Sequence, residues 1–160
     1  LTAVLFSCSS IPKESNGLSL LVIPVIKDSK DSKAYYVYYK LYYKEIGATD
    51  EKKEKYIIVN PNNKSYVVHS INPGLYEFYA LEQIYIKSNT IFNRLRISFT
   101  FETIANEIKI YENSIRVVFA KREDGNFIQH VDVIMTDDTV YNRVKDQITK
   151  IANSKSWVLK

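Results

Sequence analysis

Residues 94–102, RLRISFTFE, alternate without interruption: Leu95, Ile97, Phe99 and Phe101 take every second place, and Arg94, Arg96, Ser98, Thr100 and Glu102 take the places between. Successive side chains of an extended strand point to opposite faces, whereas a helix would scatter both sets around its circumference. The segment therefore predicts a strand with one face in a core and the other in water. A chain that commits to such a strand must supply a second layer to cover it.

Much of the remaining sequence does so. Leu18–Lys27 is a continuous apolar run, as for a strand covered on both faces, with Pro24 imposing a bulge or an edge. DSKDSK reads as a solvated turn, and Glu45–Lys55 as a charged loop. YIIVNPNNKSYVVHSI predicts a hairpin about Asn60-Pro61-Asn62-Asn63. After Ile71, Asn72-Pro73-Gly74 predicts a type II turn with a positive φ at Gly74. A strand then follows in which Leu75, Glu77, Tyr79 and Leu81 alternate against Tyr76, Phe78 and Ala80. EIKIYENSIRVVFAKREDGNFIQHVDVIM predicts two hairpins, turning at Glu112-Asn113-Ser114 and at Asp124-Gly125. Thirteen tyrosines and seven phenylalanines favour strands, and four glycines with four prolines in 160 residues leave no room for a long flexible linker, so one domain is expected.

The period changes near the end. Val140, Val144, Ile148 and Ile151 recur at spacings of four, four and three, which predicts a helix over about 139–153. Asp137, Asp138 or Thr139 can cap it, Lys150 suits its last turn, and Trp157 packs beyond it. The expected fold is mainly β: an antiparallel β-sandwich with a C-terminal amphipathic α-helix.

The densest composition lies in Tyr35–Tyr43, which holds six tyrosines. As a strand it places Tyr35, Val37, Tyr39, Leu41 and Tyr43 on one face, read as core, and Tyr36, Tyr38, Lys40, Tyr42 and Lys44 on the other. Rings interleaved with lysines suit a sugar, a base or a protein partner. Tyrosine is also a good strand former, and the same face can be simply a stiff wall. Tyr36, Tyr38, Lys40 and Tyr42 are the candidate ligand-binding residues.

Other chemistry is sparse. His69 alternates with Val67 and Ile71, as a structural histidine would, and His130 falls on the face opposite Phe127 and Val131 and reads as exposed. Two distant histidines and one cysteine give no metal spacing, and no cofactor is implied. No G-x-S-x-G or S-x-x-K occurs, and the glycines are too dispersed for a phosphate loop, so no enzyme is expected. The net charge of +4 is scattered rather than clustered, which argues against a nucleic-acid partner.

The chain begins LTAVLFSCSSIPKESNG: an apolar run Leu1–Phe6, a small Ser7, Cys8, and then a polar stretch. Leu5-Phe6-Ser7-Cys8 resembles the lipobox of bacterial lipoproteins, which implies a signal-peptide remnant over 1–7 and acylation of Cys8. The polar residues after Cys8 make 8–17 a flexible tether, and 18–160 is left as the domain. Outside this region nothing approaches 18 consecutive apolar residues, so attachment rests on the acyl chains, each buried CH₂ contributing about 0.8 kcal/mol. The body resembles small lipoproteins with a prealbumin-like sandwich: Ile71, Pro73, Gly74 and Tyr76 match their hydrophobic-x-Pro-Gly-x-Tyr turn, and Asn106-Glu107 stands where they carry a glycine before a late strand. That resemblance implies anchoring in the bacterial envelope, at the outer membrane, and a fold, but no catalytic residue. The expected role is non-enzymatic binding of a protein or glycan. The alternatives are an assembly accessory pairing through a sheet edge, and a hydrolase whose site forms only in three dimensions. Oligomeric state is left open.

Overall fold

The structure, a computed structural model, describes residues 11, 15–28, 37–48, 54–62, 65–121, 123–125, 127–151 and 157–159. Cys8 and Tyr36 lie outside them. The described elements are β1 (Ser19–Asp28), β2 (Val37–Glu45), β3 (Lys55–Val59), β4 (Tyr66–Ile71), β5 (Gly74–Tyr85), β6 (Ile91–Thr103), β7 (Glu107–Ile110), β8 (Asn113–Lys121), β9 (Phe127–Met135), α1 (Asp138–Ile151) and β10 (Val158–Leu159). The molecule is mainly β, with two sheets and one helix among the described residues.

β1 organises the layers because both of its faces are apolar. Leu21, Ile23 and Val25 enter a core shared with Tyr39 and Leu41 of β2, Phe78 and Leu81 of β5, Phe101 of β6 and Val117 of β8, so the two sheets pack face to face. Leu20 and Val22 turn the other way, against Ile108 and Ile110 of β7, Val140, Val144 and Ile148 of α1, and Trp157. The helix thus forms a third layer. Asp137 caps it, its Oδ1 accepting from the Val140 amide at 2.8 Å.

The second sheet runs β3-β2-β5-β6, antiparallel throughout. The first corrects the expectation of an antiparallel fold. β1 pairs with β4 antiparallel on one edge and with β7 and β8 parallel on the other, while β10 lies parallel to β7 and only β9 returns antiparallel, along β8. Parallel neighbours need a long crossover. Here the whole second sheet is inserted between β1 and β7, a separation that local turn chemistry does not reveal.

Several expected hairpins resolve differently for the same reason. Glu112-Asn113-Ser114 is no hairpin: β7 and β8 run the same way along one edge of β1, where Ile108 faces Leu20 and Ile115 faces Val25. Seven residues on one side therefore span five on the other, which is a bulge. Tyr111 N donates to Val22 O at 2.7 Å, so the backbone groups of Val22 aim at this edge, and by alternation so does the nitrogen of Pro24. Proline has no proton to offer, and the bulge skirts it. Asn60-Pro61-Asn62-Asn63 joins β3 to β4, which lie in different sheets, and Asn72-Pro73-Gly74 likewise carries the chain from β4 to β5. Gly74 is not among the positive-φ glycines. A Cβ there would sit 3.3 Å from the Tyr76 ring, so the glycine leaves space for that ring, whose hydroxyl donates back to Asn72 O at 3.0 Å. The connection at Asp124-Gly125 is longer than two residues, since the last ladder pair is Lys121 with Phe127, and Gly125 takes φ +84°.

In β5 the expected alternation breaks at Tyr79. Tyr43 pairs with Phe78 but Tyr42 pairs with Ala80, a bulge that returns Leu81 to the same core as Tyr76 and Phe78. At the start of the domain, Ile11 packs against the helix-side cluster, and the buried Ser15 donates its hydroxyl to Asn106 Oδ1, so the far end of the expected tether lies on the fold. Asn106 has φ +66°, and its amide bonds Leu18 O while its carbonyl accepts from Val158 N, both at 2.8 Å. No described helix is long and apolar enough to cross a membrane.

Candidate functional site

The alternation of β2 sends Val37, Tyr39, Leu41 and Tyr43 into the shared core, and Tyr38, Lys40, Tyr42 and Lys44 to the outer face of the second sheet. There β2 meets Tyr56 of β3, Glu77, Tyr79 and Glu82 of β5, and Arg94 and Ser98 of β6. The bulge at Tyr79 brings its ring beside Tyr42, which makes a row Tyr56–Tyr42–Tyr79 with centroids 5.5 and 6.1 Å apart.

Tyr42 sits at the centre of a closed network. It is only 5% exposed, and its hydroxyl donates to Glu82 Oε2 at 2.6 Å. Glu82, itself 3% exposed, also accepts from Arg94 at 2.9 Å, and the same guanidinium reaches Glu54 at 2.9 Å. Tyr79 donates to Glu54 at 3.2 Å. Burial first, then the bond to Glu82 and its charge, push the Tyr42 phenol well above its ordinary value, so it stays a donor. Its bond to Arg94 holds the Glu54 carboxyl low.

Each ring of the row carries a cation. The Arg94 guanidinium lies 4.7 Å from the Tyr42 centroid, Lys40 Nζ 4.6 Å from that of Tyr56, and Lys44 Nζ 5.6 Å from that of Tyr79. Lys44 also pairs with Glu77 at 3.1 Å, which in turn accepts from Ser98, and these bonds hold the Glu77 carboxyl low. A sugar stacking on Tyr42, Tyr56 or Tyr79 would have to displace a cation from that ring. The surface is instead one of ammonium and guanidinium groups laid on aromatic supports, suited to carbonyls and carboxylates.

Of the expected ligand-binding residues, Tyr38 and Lys40 are half-buried on this face, Tyr38 donating to Asn89, while Tyr42 lies beneath Arg94. Tyr56, Tyr79, Glu54, Glu82 and Arg94 were not legible as members of the site. Arg94 showed in its outward register, but its meeting with Tyr42 spans three strands and a bulge.

Elsewhere, His69 Nε2 lies 3.0 Å from the Tyr43 hydroxyl, and burial lowers its pKa to about 4. His130, 60% exposed, contacts Asp132 at 2.9 Å, and Asp132 also accepts from Arg116 at 3.0 Å. Among the described residues no serine or threonine hydroxyl joins either histidine, and no group of three His, Cys, Asp or Glu is placed to hold a metal. No protein-family model matches this chain, and neither does any curated protein.

Proposed function

We propose that this is a non-enzymatic binding domain of the bacterial envelope, held by acyl chains on Cys8, which presents the outer face of its second sheet to a protein partner. The observation that carries the binding role is the ring-and-cation array: three tyrosines from three strands, each covered by a cation from β2 or β6. Such an array is rigid before any partner arrives, which limits the side-chain ordering that binding would otherwise cost. A protein is favoured over a glycan because each of the three rings already carries a cation.

Support for the anchor and its outer-membrane address is the lipobox-like Leu5-Phe6-Ser7-Cys8 followed by a polar segment. Support for a prealbumin-like β-sandwich is the working of its turn signature: Ile71 and Tyr76 are buried, and Gly74 admits the Tyr76 ring. Asn106 adds to it, because it takes the left-handed conformation that a glycine adopts freely.

Metabolic labelling with a palmitate analogue tests the anchor: wild-type chain incorporates label and Cys8→Ala does not, and equal labelling of the two overturns it. For the face, a photo-crosslinker in place of Lys40 captures a protein partner in intact cells. Combining it with Tyr56→Ser reduces the yield at least about fivefold at unchanged melting temperature; a yield indifferent to Tyr56 removes this face from the function.

A further inference from the structure

β6 ends the second sheet. Among the described elements it pairs with β5 alone, and none lies along its other edge. The edge is long, 13 residues. Leu95, Ile97, Phe99 and Phe101 face the core in unbroken alternation, while Arg94, Arg96, Ser98, Thr100 and Glu102 are exposed, although β6 carries one residue more than β5 between the Phe78–Phe99 and Ala80–Arg96 pairs and again between Gln83–Asn93 and Ile84–Ile91.

The direction of its backbone groups follows from one bond. Leu75 O accepts from Ile46 N, so the groups of Leu75 aim at β2, and those of Gly74, Tyr76 and Phe78 aim at their β6 partners Thr103, Phe101 and Phe99. Those of Thr100 and Glu102, and by the same alternation Ser98 and Arg96, are left facing away from the sheet. Two of the usual edge defences are missing from this stretch of β6, which holds no proline and no charge on its inward positions. Leu95, Ile97 and Phe99 are also only partly buried, unlike Phe78 and Leu81 beside them on β5. The core is thus incompletely covered along this flank.

We infer that β6 pairs antiparallel with β6 of a second copy about a twofold axis at Phe99, joining two four-stranded sheets into one of eight. The sequence is self-complementary in that register. On the outer face Arg96 stands opposite Glu102 of the other copy, twice by symmetry, and Ser98 opposite Thr100. On the inner face Phe99 meets its own copy and Ile97 meets Phe101. Among the described residues neither Arg96 nor Glu102 has an ion-pair partner within the chain. Four reciprocally bonded residue pairs supply about eight backbone hydrogen bonds. This pairing rests neither on the anchor nor on the tyrosine face.

Sedimentation velocity of the 160-residue chain under reducing conditions tests it. The expected species has twice the chain mass of 18.6 kDa. Arg96→Glu and Glu102→Arg each weaken the dimer at least about tenfold by opposing like charges, and the double exchange restores it. Both sites are exposed, and circular dichroism checks that each variant folds. In the dimer the amides of Arg96, Ser98, Thr100 and Glu102 are protected from hydrogen exchange, and on dilution to monomer they are not. A chain that stays monomeric at about 100 µM overturns the inference, as does a dimer in which those amides exchange freely or which is indifferent to both reversals.

Discussion

His69 and Tyr111 are the residues at which burial has the clearest consequences. The folded chain keeps His69 neutral down to about pH 4, where an unfolded one would take a proton at about 6.5. Protonation therefore favours the unfolded state: stability is complete above pH 6.5, falls by about 1.4 kcal/mol per unit below it, and levels off near pH 4 after a loss of about 3 kcal/mol. The difference between wild type and His69→Gln in urea denaturation between pH 7 and 5 isolates the effect, the variant giving the flatter profile. Tyr111 has the opposite defect. Its hydroxyl is buried without a hydrogen bond of good geometry, in weak contact with Asn113, and burial raises its pKa to about 12. Tyr111→Phe removes an unpaired polar group and raises stability by about 1 kcal/mol, measured as a higher urea midpoint at unchanged slope. A loss of stability would show that the hydroxyl is paired.

At the scale of elements, the outer face of the second sheet is held by charge that one arginine balances. Arg94 is 41% exposed and bridges the buried Glu82 to Glu54, which is 54% exposed. Arg94→Ala strands the Glu82 carboxylate with only the Tyr42 phenol and costs about 2 kcal/mol, a buried-pair loss moderated by solvent at Arg94. Glu54→Ala breaks a surface pair and costs less than about 0.5 kcal/mol in the same denaturation assay. Equal costs would mean that Glu82 is better solvated than its burial implies. Element identity was largely legible here. The period of two in Leu95–Phe101 and the four-four-three spacing of Val140, Val144, Ile148 and Ile151 express backbone geometry, which neighbours in sequence impose. The phase within β5 was not, because the bulge at Tyr79 answers to both β2 and β6 and leaves no mark in the local sequence.

For the whole molecule, β1 belongs to both apolar clusters, one between the sheets and one beneath α1 and Trp157. The three layers should therefore unfold together. Leu81→Ala, deep between the sheets, costs about 2–4 kcal/mol, and it shifts the Trp157 fluorescence transition and the far-ultraviolet dichroism transition equally although Trp157 lies in the other cluster. Separate transitions would divide the fold at β1.

By itself the sequence determined the local grammar: which stretches extend and which coils, which side of β2 and β6 is apolar, and that Asp137 stands where a helix can be capped. Only the tertiary structure decided which strands are neighbours. It set β7 and β8 parallel to β1, used the two Asn-Pro connections to cross between sheets rather than to close hairpins, and gathered Tyr42, Glu82 and Arg94 into one network. The reason is physical: periodicity and turn propensity act over a few residues, whereas strand pairing and charge neutralisation are settled by whichever distant segments share the same buried surface.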